Sequence, residues 1–161
     1  DVECTKLLDI ELVKQIVQRA ALNLPDAFLI KWLQQSYEEW RNKDGHDLDH
    51  SMLHFKEGMA WNLIRDKIIA DNKIQVEVSD IIELVIGEMK NQYPGVQLPD
   101  ESWQELAKRT LGNKEKATQY YVEEQNRKVL EWMKQQIQIQ ENLISLDQFR
   151  DKVKALNEHH H

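Results

Sequence analysis

Apolar residues along this chain recur at the three-and-four spacing of helices, and the helical stripes are broken at a few sharp points. From Trp61 to Tyr93, Leu63, Ile64, Ile68 and Ile69 form a helical face, and the chain breaks at Asp71, Asn72 and Lys73. Ile74, Val76 and Val78 then alternate with polar residues, as an extended run does. Ser79 and Asp80 offer a helix start, and Ile81, Ile82, Val85, Ile86 and Met89 make a new stripe. The same helix–hinge–helix pattern recurs from Ile10 to Tyr37, through Leu22, Asn23 and Leu24. It recurs again from Val129 to Leu156, through Leu143, Ile144, Ser145 and Leu146. A weaker variant, Val96 to Glu101, opens the helix that holds Trp103 and Leu106. Such hairpins must pack on one another to bury their faces.

The elements follow in order. A first helix spans about Lys6 to Ala21, with Leu8, Leu12 and Ile16 on one face and Val13 and Val17 widening it. Pro25 and Asp26 open a second helix carrying Phe28, Leu29, Trp32, Leu33, Tyr37 and Trp40. A third runs from about Asp49 to Ala70, with Met52, Phe55, Met59 and Leu63 on one stripe and Ala60, Ile64 and Ile68 on another. The fourth ends at Tyr93-Pro94-Gly95. The fifth runs from Pro99 to Gly112-Asn113, which reads as a left-handed cap. The sixth spans about Lys114 to Gln138 and is interrupted by the wholly polar Glu123 to Lys128. That interruption predicts that the helix leaves the body there or bridges packed regions. Ser145 and Gln148 make a capping box for a last helix.

Composition sharpens the fold class to all-α. The 161 residues suffice for one domain, and with 30% charged residues, five Gly and three Pro the surface is rich in solvated helix. Residues 1–158 read as a single helical domain from a longer protein, and His159 to His161 as a purification-tag remnant. The net charge of -7 argues against a nucleic-acid partner, where basic groups would dominate. No apolar run reaches membrane-spanning length, so no membrane partner is expected. Cys4 stands alone, which excludes an intramolecular disulfide.

Candidate chemistry is sparse. The loop Asn42 to Asp49 resembles a calcium loop, but with Gly45 at the sixth position the first and twelfth ligands would be Trp40 and Ser51, so that reading fails. His50 and His54 share a helix face and could chelate a transition metal, but no third ligand is fixed by the spacing. They read as surface residues, and no metal or cofactor is assigned. The pairs Glu38-Glu39 and Glu123-Glu124 read as polar helix faces, without the burial that acid–base work requires. No nucleophile elbow, phosphate loop or zinc-protease motif is present, so catalysis is not expected.

Three segments together resemble one family: AALNLPDAFLIKWL (20–33), WNLIRDKIIADNKIQVEVSDI (61–81) and ENLISLDQFRDKV (141–153). In this order and spacing they look like the C-terminal domain of bacterial trigger factor, most of all its Bacteroidetes version. The resemblance covers the whole chain outside the terminal histidines. It implies a helical body with protruding hairpin arms that cradle unfolded or nascent polypeptides, and a cytoplasmic location. A similar helical module occurs in periplasmic chaperones of the parvulin type. Ribosome docking and prolyl isomerisation would reside in domains absent from this chain, and a homodimer is a further implied partner. Where the family keeps apolar residues in the middle of the sixth helix, this chain has Gln125 and Asn126.

Exposed apolar residues would grip clients. The candidates are Phe28, Trp32, Tyr37 and Trp40 on one segment, Met52, Phe55 and Met59 on a second, and Tyr120 and Tyr121 on a third. Each could equally be core. A helical scaffold for one folded partner is the competing reading.

Overall fold

The computed structural model describes residues 2–139 and 144–158. Among them are seven helices and no strand: α1 (Val2–Ala20), α2 (Asp26–Ser36), α3 (Gly45–Asn72), α4 (Val78–Gln92), α5 (Asp100–Leu111), α6 (Lys114–Gln136) and α7 (Leu146–Glu158). The all-α expectation holds. Leu143 of the third hinge run and the terminal histidines lie outside the described residues.

Local chemistry sets the helix ends. At the α3–α4 hinge, Lys73 takes a left-handed conformation with φ 53. The Ile74 amide then reaches back to the Ile69 carbonyl at 3.1 Å, which closes the last turn. Residues 74–77 are not helical, in keeping with the extended run. The start of α4 differs from expectation: it opens at Val78, and Asp80 accepts the Glu77 amide at 2.7 Å from the third helical position. The capping box before α7 forms as read. The Ser145 amide donates to Gln148 at 3.1 Å and the Gln148 amide to Ser145 Oγ at 3.3 Å. Gly112 is a correction, since its φ of -63 is right-handed. The turn is made instead by Asn113, whose side chain accepts the Lys116 amide and caps α6.

α2 also stops earlier than the stripe suggests. It ends at Ser36, and Trp40 sits on a separate 3-10 turn, Glu38–Trp40. That turn swings Trp40 into a core of Leu29, Leu33 and Met52, flanked by Leu24, Ile30, Leu48, Phe55 and Met59. The rings of Trp40 and Phe55 meet edge-on at 5.8 Å.

A second packed region joins α4, α5 and α6. It buries Val85, Trp103, Ala107 and Val129. α3 runs from one region to the other, packing on α1 and on α6. Its 28 residues give it about 42 Å of length.

Candidate client-binding cleft

Of the two readings of the polar stretch of α6, the bridge between packed regions holds, since α6 packs on α3, α4 and α5. Residues 123–128 do not carry the helix away from the body; they are its joint. Glu124 is fully buried and accepts two bonds from Arg127, at 2.6 and 2.7 Å. Arg127 also holds Glu131 at 2.5 Å, and its guanidinium is held still more firmly protonated by the Glu124 hydrogen bond. Asn126 accepts from the Trp61 indole at 3.1 Å and from Arg65 at 3.4 Å, tying α6 to the middle of α3. Arg65 is itself buried and forks onto Asp66 at 2.8 and 3.0 Å. Lys128 reaches the hinge, donating to the Gln75 carbonyl at 2.8 Å and to Asp80 at 2.5 Å. These partners explain how the polar Asn126 is accommodated within the packed part of α6.

Of the Glu123-Glu124 pair, Glu124 is therefore not on the solvated face expected, whereas Glu123 stays exposed. Partial burial still raises the Glu123 carboxyl above its ordinary value, with help from Glu88. The Asp80 carboxyl is lowered, first by the Lys128 hydrogen bond and next by the Glu77 amide. Both Glu124 oxygens accept from Arg127 and the side chain is fully buried, so neither is presented to a substrate.

The joint sets one wall of an open cleft of about 1400 Å³. Ile10, Val13 and Val17 of α1 line one side, and Leu53, Phe55 and Trp61 of α3 line the other. Asn126 and Leu130 of α6 complete the lining. Asp9 of α1 is ion-paired with Lys134 of α6, which fixes the α1 wall to the same helix. The polar lining includes Lys14, Glu39, Lys43, Asp47, His50, His54 and Glu57. This volume exceeds the roughly 300–1,000 Å³ of small-molecule sites.

The sequence candidates divide. Tyr37, Trp40 and Phe55 line the cleft. Met52 and Trp40 are buried, with 6% and 9% of their surface accessible, so both belong to the core and neither offers a free gripping surface. Met59 is partly buried against the same cluster. Phe28 is 65% exposed, and Trp32 lies beside Tyr37 with ring centroids 5.6 Å apart. Neither Phe28 nor Trp32 lines the cleft. Tyr120 donates to Glu88 at 2.9 Å, and that bond raises its hydroxyl's pKa. Tyr121 is exposed but is not part of the cleft lining. The structure thus does not gather the three expected gripping segments on one surface. The α1 wall was missed as part of the cleft lining. Val13 and Val17 were legible as the edge of an apolar stripe, but an edge position carries no sign of what faces it.

Among the described residues, no helix is long and apolar enough to cross a membrane. No curated protein and no solved structure matches the chain. A family model described as probable trigger factor, C-terminal domain, matches residues 7–153. With the match running from α1 into α7, the chain belongs to the trigger factor C-terminal domain family, a chaperone-type domain.

Proposed function

We propose that this chain binds unfolded or nascent polypeptide segments in the cleft between α1 and α3. The observation that carries the reading is an apolar-lined cleft of about 1400 Å³ in a chain of a chaperone-type family. Leu53 stays 56% exposed on its wall, the kind of apolar surface that a soluble domain keeps open for a partner.

Binding here is physical. Each large apolar side chain seated in the cleft contributes about 1.5–3 kcal/mol. Three or four of them give a gross gain that ordering the client chain largely offsets. The result is a micromolar or weaker affinity, at about 8 kcal/mol or less, which allows release. The acidic exterior keeps the complex in solution. In this reading the chain acts without catalysis and in the cytoplasm. Ribosome docking belongs to domains outside it, and homodimerisation is a further mode of covering the cleft.

The test is aggregation of two unrelated, chemically denatured proteins on dilution, with the chain in modest excess. Protection of both clients, lost when Val13 and Leu53 are replaced together by Asp, supports the reading. Protection that survives this double substitution places client binding elsewhere. No protection of either client removes the reading for the isolated chain.

A further inference from the structure

Of the histidine run His46, His50, His54, the last two line the cleft, and the reading above gives none of the three a chemical role. The three rings follow one another along α3. The rings of His46 and His50 are 6.3 Å apart and nearly parallel, and those of His50 and His54 are 4.5 Å apart. The Nε2 atoms of His50 and His54 lie 3.3 Å apart. Zinc–imidazole bonds of about 2.0–2.1 Å at a tetrahedral angle place two ligand nitrogens about 3.3–3.4 Å from each other. The two nitrogens already stand at the spacing of a chelate.

The surroundings agree with that geometry. On the far side of the His54 ring, Nδ1 lies 3.8 Å from Glu57 Oε2. That is too long for a hydrogen bond, but a carboxylate there favours the tautomer with its proton on Nδ1, the one in which Nε2 can act as a ligand. Metal-binding histidines are commonly oriented in this way. Asp47 and Glu57 add negative charge to the same stretch of cleft wall. The nearby cation, Lys43, is held by Asp47 at 3.3 Å and by Ser51 at 2.9 Å.

We propose that His50 and His54 chelate a divalent transition-metal ion of the imidazole-preferring class, such as zinc. Among the described residues there is no group of three or more His, Cys, Asp or Glu side chains placed to hold a metal. The protein therefore supplies two donors. The remaining positions fall to water or to a donor side chain of whatever occupies the cleft, since both histidines line it. This is an open, exchangeable site, unlike the closed four-ligand sites that hold folds together. The competing explanation of the short separation is a hydrogen bond between two neutral rings.

The experiment is calorimetric titration of zinc chloride into the chain ending at Glu158, so that the terminal histidines do not compete. The expected result is saturable binding of one zinc ion per chain. His50→Gln and His54→Gln should each weaken it at least about tenfold with helix content unchanged. His46→Gln, whose ring is outside the chelate, should leave the affinity as it is. Absence of saturable binding at millimolar zinc overturns the proposal, as does equal binding by the His50→Gln, His54→Gln double variant.

Discussion

Arg127 donates two hydrogen bonds to Glu124 one turn back on α6, and the two partners differ sharply in exposure: Glu124 is 0% accessible and the Arg127 side chain is 46% accessible. The pair is therefore asymmetric in what its loss would cost. Arg127→Met strands a buried carboxylate and should destabilise the fold by about 3–5 kcal/mol. Glu124→Leu leaves an arginine that still has Glu131 and water, and should lie within about 1 kcal/mol of the native chain. Urea unfolding of the two variants checks this, and equal losses would contradict it.

Lys128 and Asp80 make the hinge acid-sensitive. Asp80 is lowered in the fold, so the unfolded chain takes up the proton first as pH falls below about 4. The stabilisation is present above that pH and is lost as pH drops through the folded value. Lys128→Met should cost stability at pH 6 and much less at pH 3, measured by denaturant midpoints at each pH.

Glu123 has the opposite sign. Its carboxyl is raised in the fold, chiefly by burial, so its contribution is present below about pH 4 and fades as pH rises through the folded value. Glu123→Gln should therefore raise stability at pH 7, by less than about 1 kcal/mol for so exposed a side chain, and give no gain at pH 3. Thermal melts at the two pH values read the difference.

Lys73 occupies the left-handed region with φ 53, which costs a side-chain-bearing residue about 1–2 kcal/mol. Lys73→Gly relieves that cost while adding freedom to the unfolded chain. The net expected gain is about 0.5–1 kcal/mol. Lys67→Gly, six residues earlier and inside α3, should lower stability by about 1 kcal/mol. Paired melting curves of the two variants test the assignment of strain to the hinge.

Met52 and Leu53 are chain neighbours with opposite environments, one in the core and one on the cleft wall. Met52→Ser should destabilise by about 2–5 kcal/mol, as deletion of a buried side chain does. Leu53→Ser should change stability by about 0.5 kcal/mol or less. Under native conditions it should weaken binding of a fluorescent unfolded polypeptide, read as anisotropy.

That contrast shows what was legible in the sequence. The helices were, because their 3.6-residue period and their stop signals are local. Ser145 with Gln148, Asn113 and the Asp71–Lys73 break all act within a turn or two. The cleft was not, because the stripes that mark burial and the stripes that mark binding are chemically the same. Met52 sat on the strongest stripe of α3 and proved to be core, while Leu53, off that stripe, reaches the cleft. The polar run 123–128 left two readings open, departure from the body or a bridge, for a related reason. A polar residue inside a stripe reads as solvent-facing unless its partner is known. The partners here, Trp61, Arg65, Gln75 and Asp80, lie 48 to 65 residues away in sequence from Asn126 and Lys128. Trp40 was likewise placed by the 3-10 turn that ends the α2 pattern, a break no periodicity announces.

The central claim is that clients sit between α1 and α3. The most direct test is photo-crosslinking, with a benzophenone amino acid in place of Val13, Leu53 or Tyr121, one at a time, and a reduced, unfolded client present. The account predicts client adducts from positions 13 and 53, which line the cleft, and none above background from position 121, which does not. Adducts from position 121 alone would contradict it.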